Sequence, residues 1–495
     1  MRGQPRAIDF ARSAMLAVLG CALAAAVLAA IRWRSPWYDE FYTLYVTRPG
    51  VPLGMLWHAW LADNHPPLFY ALAWVTNAPG AHLEIRRLLN VGILIGAAGA
   101  LGLVAWRRPP LRTTLFAYAA GLCAAVPMVD RAADLRSYFL SFCAGAVAVA
   151  ALAAFVKPGE RLPRRAALFL AASLLAALTV HIVTTLIVGT LVGAFCCWLL
   201  LAGDRAGALR LAGIAALAAV PAAMGYALQF AVMNANTRAF WIDAGWEYAY
   251  WIIRGETVSA AFANPVLTLG GCCGLAWIAL RDGRVRRLSP ELGLILTLGF
   301  GTALVLVLLF AMHTQRPIVV GRYLVAIYPP ILMALATGWA ALCSRIGARW
   351  TVAVEALLVA AALAALQHNV SVPLKRTGWD ASGAAIARIA AACPGTKIHM
   401  NTAWNGATLA LAPAENLAVV PYAYRLTAAR HGFALEQPGS RAMGGPCPAV
   451  FWSEHVTTLH PTADDIARDL RRRGYQVHHG YLRRIGDGLV FVGGR

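Results

Sequence analysis

The sequence predicts an all-α polytopic membrane bundle of about 11 transmembrane helices, with a large periplasmic first loop and a small C-terminal α/β periplasmic domain. Three observations predict it. Hydrophobic residues make up 59% of the chain and charged residues 13%, with a mean hydropathy of +0.60, outside the range of soluble globular domains. Apolar runs of roughly 18 residues or more recur, each long enough to cross a hydrocarbon core of about 30 Å. Near Gln367 the composition changes, and prolines, glycines and charges return.

The expected spans are 13–31, 83–105, 113–129, 137–156, 166–181, 183–201, 207–230, 263–280, 291–312, 322–342 and 350–367. The first follows Arg2, Arg6 and Arg12 like a signal peptide. Arg32 and Trp33 come after it instead of a small-residue cleavage site, so it reads as an uncleaved span. With the N-terminus cytoplasmic, the inside loops collect Arg107, Arg108 and Arg112, then Lys157, Arg161, Arg164 and Arg165. Arg205 and Arg210 follow, then Arg281, Arg284, Arg286 and Arg287, and finally Arg345 and Arg349. Every inside loop then obeys the positive-inside rule. An odd number of spans puts the C-terminus outside, as in a multi-pass protein of the bacterial cytoplasmic membrane. Pro66 to Ala78 is too short to cross and reads as an interfacial helix within the first loop. These assignments divide the chain into a membrane domain, 1–367, and a periplasmic soluble domain, 368–495.

The first loop holds the densest chemistry. Ser35 to Tyr70 carries Asp39 and Glu40 beside Tyr38, then His58, Asp63 and His65, interleaved with Trp37, Trp57, Trp60 and Tyr70. Asp63-Asn64-His65-Pro66-Pro67 reads as a helix start, with a capping side chain and proline in the first turn. A capped helix lying on the membrane explains part of this composition. It leaves the Asp39–Glu40 pair unexplained.

The outer loops are unusually rich in arginine. Most of these residues read individually as headgroup anchors, but Arg131, Arg136, Arg316 and Arg322 flank span ends in short loops. Arginine at membrane depth is costly unless it meets an anion, and a phosphate suits the guanidinium fork. In the second outer loop, Asp130, Asp134 and Tyr138 would stack at helical spacing with Arg131 one step round. The alternative is a self-paired helix cap. His181 lies at the same face in a tight hairpin, and Arg316, Arg322 and Tyr323 lead into the span before Tyr328-Pro329-Pro330.

Taken in order, these motifs carry a resemblance. An Asp-Glu pair follows span one, then Asn-His-Pro-Pro-Leu-Phe-Tyr, an Arg-Ser-Tyr outer loop and a late Arg-Tyr. The chain resembles the polyprenyl-phosphate-sugar-dependent glycosyltransferases of the GT-C fold, in particular family 39 and its relatives. Those include protein O-mannosyltransferases and lipid A aminoarabinose transferases. The motifs cover residues 35 to 330 and leave the tail out. The resemblance implies that Asp39 is the catalytic carboxylate, with Glu40 beside it, and that Arg131, Arg136 and Arg322 hold the lipid phosphate. It implies a second-loop acid without choosing between Asp130 and Asp134. Tyr38, His65, Tyr138, His181, Arg316 and Tyr323 complete the expected substrate site.

The chemistry fits these residues on its own terms. A sugar on polyprenyl phosphate has a good leaving group once the departing charge is neutralised. What remains is to deprotonate an acceptor hydroxyl on a lipid, glycan or protein, work that one carboxylate can do. Some relatives of the fold use a divalent cation, for which Asp39 and Glu40 offer oxygen ligands. Adjacent side chains seldom converge on one ion, so a divalent cation stays an open alternative and no metal ligand is assigned. Two other readings stay open: a transporter or flippase of a lipid-linked precursor, and a glycan polymerase or ligase. Transporters keep ionisable groups near the midplane, whereas here Glu355 alone lies well inside a span, close enough to its inner end to snorkel.

The tail reads as a small α/β domain. Pro461 to Arg473 is an amphipathic helix with acids first and arginines last. Ala449–Trp452, Tyr475–Val477 and Gly488–Val492 read as strands. Eight of the ten cysteines fall in or at the ends of apolar spans, whereas Cys393 and Cys447 fall in the tail, where an oxidising compartment would bridge them. The formal charge of +20 is mostly inside-loop arginine, and no nucleic-acid partner is expected.

Overall fold

The computed structural model describes residues 4–63, 65–78, 82–236, 245–285, 289–375, 378–400, 414–454, 461–486 and 488–494. Asn64 of the first-loop motif, and Arg286 and Arg287 of an inside loop, lie outside the described residues. The chain forms two compact units. One is Met1–Arg32 with Trp60–Val372; the other is Trp33–Ala59 with Pro373–Arg495. Most of the first loop therefore clusters with the tail.

The first unit is helical. Among the described residues, eight helices are long and apolar enough to cross a membrane, or nine if a bent pair counts as one span. That pair is Trp246–Ala261 with Pro265–Arg284, meeting at 84°. The two other expected spans are Arg112–Ala124, of 13 residues, and Arg164–Leu178, of 15 residues. At about 1.5 Å per residue both fall short of a hydrocarbon core, so length and composition do not reach eleven.

Ser137–Phe155 is buried along its whole length. Its run of alanine and glycine lets neighbouring helices approach from all sides. The tightest approach is between Pro265–Val285 and Tyr328–Cys343, where a Cβ added to Gly274 would lie 1.8 Å from the Gly338 carbonyl oxygen. Only glycine fits there.

Glu355 does not snorkel. It is fully buried, and the Arg12 guanidinium donates to both of its oxygens at 2.7–3.0 Å while also bonding Thr113 Oγ1 at 2.8 Å. Asp9 pairs with Arg112 at 3.2 Å beside it. A buried carboxylate persists because its partner is delivered with good geometry.

The second unit is built on a four-stranded sheet, β1 (Lys397–Met400), β2 (Ala449–Ser453), β3 (His479–Ile485) and β4 (Gly488–Gly494), in the order β1-β2-β4-β3. β1 and β2 run parallel and the other pairs antiparallel. Tyr475–Val477, expected as a strand, is irregular, and the strand begins at His479. Side chains alternate across β2. Phe451 faces the helix Ala463–Arg472 through Ile466, Ala467 and Leu470, and Trp452 packs on Tyr424 and Trp379 with ring centroids 4.7 and 5.7 Å apart. That helix starts with a capping box between Thr462 and Asp465. Cys393 and Cys447 are bridged, with their Cα atoms 5.7 Å apart. The first-loop segment joins this core through Phe41, 4.9 Å from Trp379, and through Ser35, whose hydroxyl accepts from the Asp380 amide at 3.2 Å.

Candidate functional site

The first unit gathers a polar, aromatic cluster where three helices begin. The short helix Leu68–Val75 follows Pro66-Pro67, which bars a longer start. Asp63 does not cap it, because no side chain bonds at its N-terminus. The Asp63 carboxylate instead accepts from the Tyr70 hydroxyl and lies 3.2 Å from His65 Nδ1. Arg136 donates to the same Tyr70 oxygen at 2.8 Å. Burial would raise the Asp63 pKa, but His65, Arg136 and the Tyr70 hydrogen bond outweigh it and hold the carboxyl well below its usual range. Gln229, from the helix Arg205–Asn236, fixes this segment by donating to the carbonyls of Trp60, Asp63 and His65 at 2.7, 2.9 and 3.1 Å.

The second outer loop is not one helix. Val126–Asp130 ends, the chain turns through 131–136, and Ser137–Phe155 begins. The i, i+4, i+8 stacking of Asp130, Asp134 and Tyr138 therefore does not form. Arg131 bridges both acids, to Asp130 at 3.1 Å and Asp134 at 3.2 Å. Burial would lower its pKa, but the two carboxylates raise it. The Asn90 side-chain amide donates to the carbonyls of Ala132 and Asp134, pinning the turn.

His181 caps the helix Ile182–Leu201, its Nδ1 accepting from the Val183 amide at 3.2 Å. Its ring lies 4.7 Å from Tyr323, 5.1 Å from His65 and 5.9 Å from Tyr138. Burial, and then interactions with His65, Arg136 and Arg322, push its pKa well below the ordinary histidine value. Arg322 sits on the 3-10 turn Gly321–Ile327, with its guanidinium carbon 5.5 Å from the Tyr323 ring and 5.8 Å from the Tyr138 ring. Gly321 leaves room for Glu256, which an added Cβ would meet at 2.5 Å, and Glu256 accepts from the Tyr328 hydroxyl at 2.8 Å.

Of the expected substrate residues, His65, Arg136, Tyr138, His181, Arg322 and Tyr323 thus converge, and Arg131 with Asp134 joins them through the field between Arg131 and Arg322. Arg316 is exposed at the end of the helix Pro290–Gln315 and donates to Asn234. Tyr38, Asp39 and Glu40 belong to the second unit, in the first turn of the helix Tyr38–Val46. Glu40 is fully buried and Asp39 half-buried. Burial and the Asp39 charge together push the Tyr38 hydroxyl upward. Two acids in a first turn also suit the helix dipole, which alone is a structural role. Among the described residues, no three His, Cys, Asp or Glu side chains are grouped so as to hold a metal ion.

The sequence does not mark Tyr70, Gln229, Asn90 or Glu256 as site residues. Each is a polar or phenolic side chain at or near the end of an apolar stretch, a weak signal that gains meaning only when its partner is known.

No family model and no curated protein matches the sequence. The crystal structure of ArnT from Cupriavidus metallidurans in the apo state is similar to this chain with a TM-score of 0.51 at 14% identity, covering 97% of this chain and 98% of that one. The crystal structure of that ArnT bound to undecaprenyl phosphate gives a TM-score of 0.49 at 15% identity, with 97% of each chain covered. ArnT is a lipid A aminoarabinose transferase of the GT-C fold, and this chain shares that fold over nearly its whole length.

Proposed function

We propose that this chain is an integral-membrane glycosyltransferase that moves a sugar from a polyprenyl-phosphate donor to an envelope acceptor on the outer face of the membrane. The observation that carries the reading is the convergence of Arg136 and Arg322 with Tyr138, His181 and Tyr323 in one partly dry cluster. Guanidiniums there would stabilise charge as it builds on a departing phosphate, and the aromatic walls would line the sugar or the first isoprene unit. The ArnT-like fold supports the same reading.

Asp39 is the proposed base, with Glu40 supporting it. Within the first-unit cluster, Asp63 is a poor base, because His65, Arg136 and the Tyr70 hydrogen bond hold it down. A base works best near the operating pH, and a carboxylate tied to cations moves away from it. One displacement at the anomeric carbon would invert its configuration. The Arg12–Glu355 pair gives the most deeply placed inner carboxylate a structural role, which weighs against a transporter.

The test is transfer of labelled sugar from a polyprenyl-phosphate donor in proteoliposomes, using extracted envelope lipids and glycans as acceptors. Asp39→Asn keeps the size of the side chain and removes its basicity. It should lower turnover by about 10²–10⁴-fold with donor binding preserved, and Glu40→Gln should cost less. Wild-type turnover in Asp39→Asn would remove Asp39 from the chemistry.

A further inference from the structure

At the far end of the helix Ser137–Phe155, roughly 28 Å from Arg136 by its 19 residues, lies a cavity of ≈ 500 Å³. Arg107, Arg108, Arg161, Arg164 and Arg165 line it with a single acid, Glu160. That acid is already engaged, by Arg108 at 3.0 Å and Lys157 at 3.9 Å. Five arginines thus line a space with one shared carboxylate, a composition suited to phosphate oxygens.

The rim is apolar and open. Leu103, which lines the cavity, is 38% exposed, and next to lining residues Trp106 is 66% and Leu168 70% exposed. Leu103 and Trp106 lie on the membrane-length helix Leu83–Arg107, and Leu168 on the shorter Arg164–Leu178. Arg107 lies over Trp106 at 5.1 Å and Arg108 over Phe155 at 5.4 Å, so the cations sit where apolar and charged surfaces meet. A soluble phosphate would engage the guanidiniums and leave this rim bare. A phospholipid would use both.

We propose that this cavity binds the phosphodiester headgroup of an anionic phospholipid, with its acyl chains lying along the faces that bear Leu103, Trp106 and Leu168. The site is separate from the donor site proposed above and stands without it.

The experiment uses full-length, delipidated protein in detergent. Phosphatidylglycerol and phosphatidylcholine binding are read by native mass spectrometry, and competition by inorganic phosphate is read in the same samples. Phosphatidylglycerol should bind in preference to phosphatidylcholine, and millimolar inorganic phosphate should not displace it. Arg164→Gln should weaken it about fivefold and the triple variant Arg161→Gln/Arg164→Gln/Arg165→Gln on the order of a hundredfold. Arg349→Gln, in another basic loop, should leave it unchanged. Equal affinity in wild type and both cavity variants, or equal binding of the two lipids, would overturn the proposal. Displacement by inorganic phosphate would overturn it in favour of a soluble-anion site.

Discussion

Arg136 and Tyr70, 66 residues apart in the chain, meet at 2.8 Å, and the phenol that accepts from the guanidinium donates in turn to Asp63. The hydroxyl thereby aims Arg136 without neutralising it completely. Tyr70→Phe keeps the ring and removes the bridge. Hydrogen bonds to charged groups contribute about 1.5–3 kcal/mol, so the variant should lose about that much stability in thermal or denaturant unfolding and weaken donor binding with it. An unchanged unfolding midpoint would mean that the bridge contributes nothing.

Arg322 and Arg136 should differ from lysine in kind as well as in charge. Lysine retains a point charge and loses the planar fork and its stacking. Donor binding should therefore fall in the order wild type, Arg322→Lys, Arg322→Ala, and likewise at Arg136. Titration of a polyprenyl-phosphate analogue into each variant checks the order. Equal affinity across the series would return both residues to the role of headgroup anchors.

His181 should make stability depend on pH. Its folded pKa lies below the ordinary value of 6.5 because burial and neighbouring positive groups resist protonation. Above 6.5 both the folded and unfolded chains carry it neutral. As pH falls through 6.5 the unfolded chain takes up a proton that the folded chain refuses, so stability is lost by up to about 1.4 kcal/mol per pH unit. His181→Asn keeps a helix-capping acceptor and should flatten the unfolding midpoint between pH 7 and 5. A slope identical to wild type would exclude His181 as its source.

The Cys393–Cys447 bridge closes a loop across a sequence separation of 54, which the chain-entropy model values at about 4 kcal/mol. Cys447→Ser should make the second unit more sensitive to proteolysis and heat. Donor binding at the Arg136–Arg322 cluster should change little, because those residues lie in the first unit.

Much of this protein is legible before any coordinates. Hydropathy alone marks the long helices, because a bilayer-crossing segment must be apolar and satisfy its own backbone. The cysteine placement predicts the disulfide, and the acid-to-base gradient of 461–473 predicts its helix. The motif order points to the GT-C fold that the ArnT comparison supports.

What the tertiary structure decided are the partnerships. Asp63 read as a helix cap because caps are local, yet its carboxylate is taken by Tyr70 and lies beside His65. Glu355 read as a snorkelling residue because nothing nearby in sequence could pair with it; its partner is Arg12, 343 residues away. Asp130, Asp134 and Tyr138 read as one helical face, but Asn90 ties the intervening turn from another helix. Ser35 to Ala59 read as part of the membrane domain, yet its aromatics pack on Trp379 and Tyr422 in the tail's unit. Periodicity and composition report what each segment needs, an apolar face or a partner for its charge. Which residue meets that need depends on distant segments brought together only by packing.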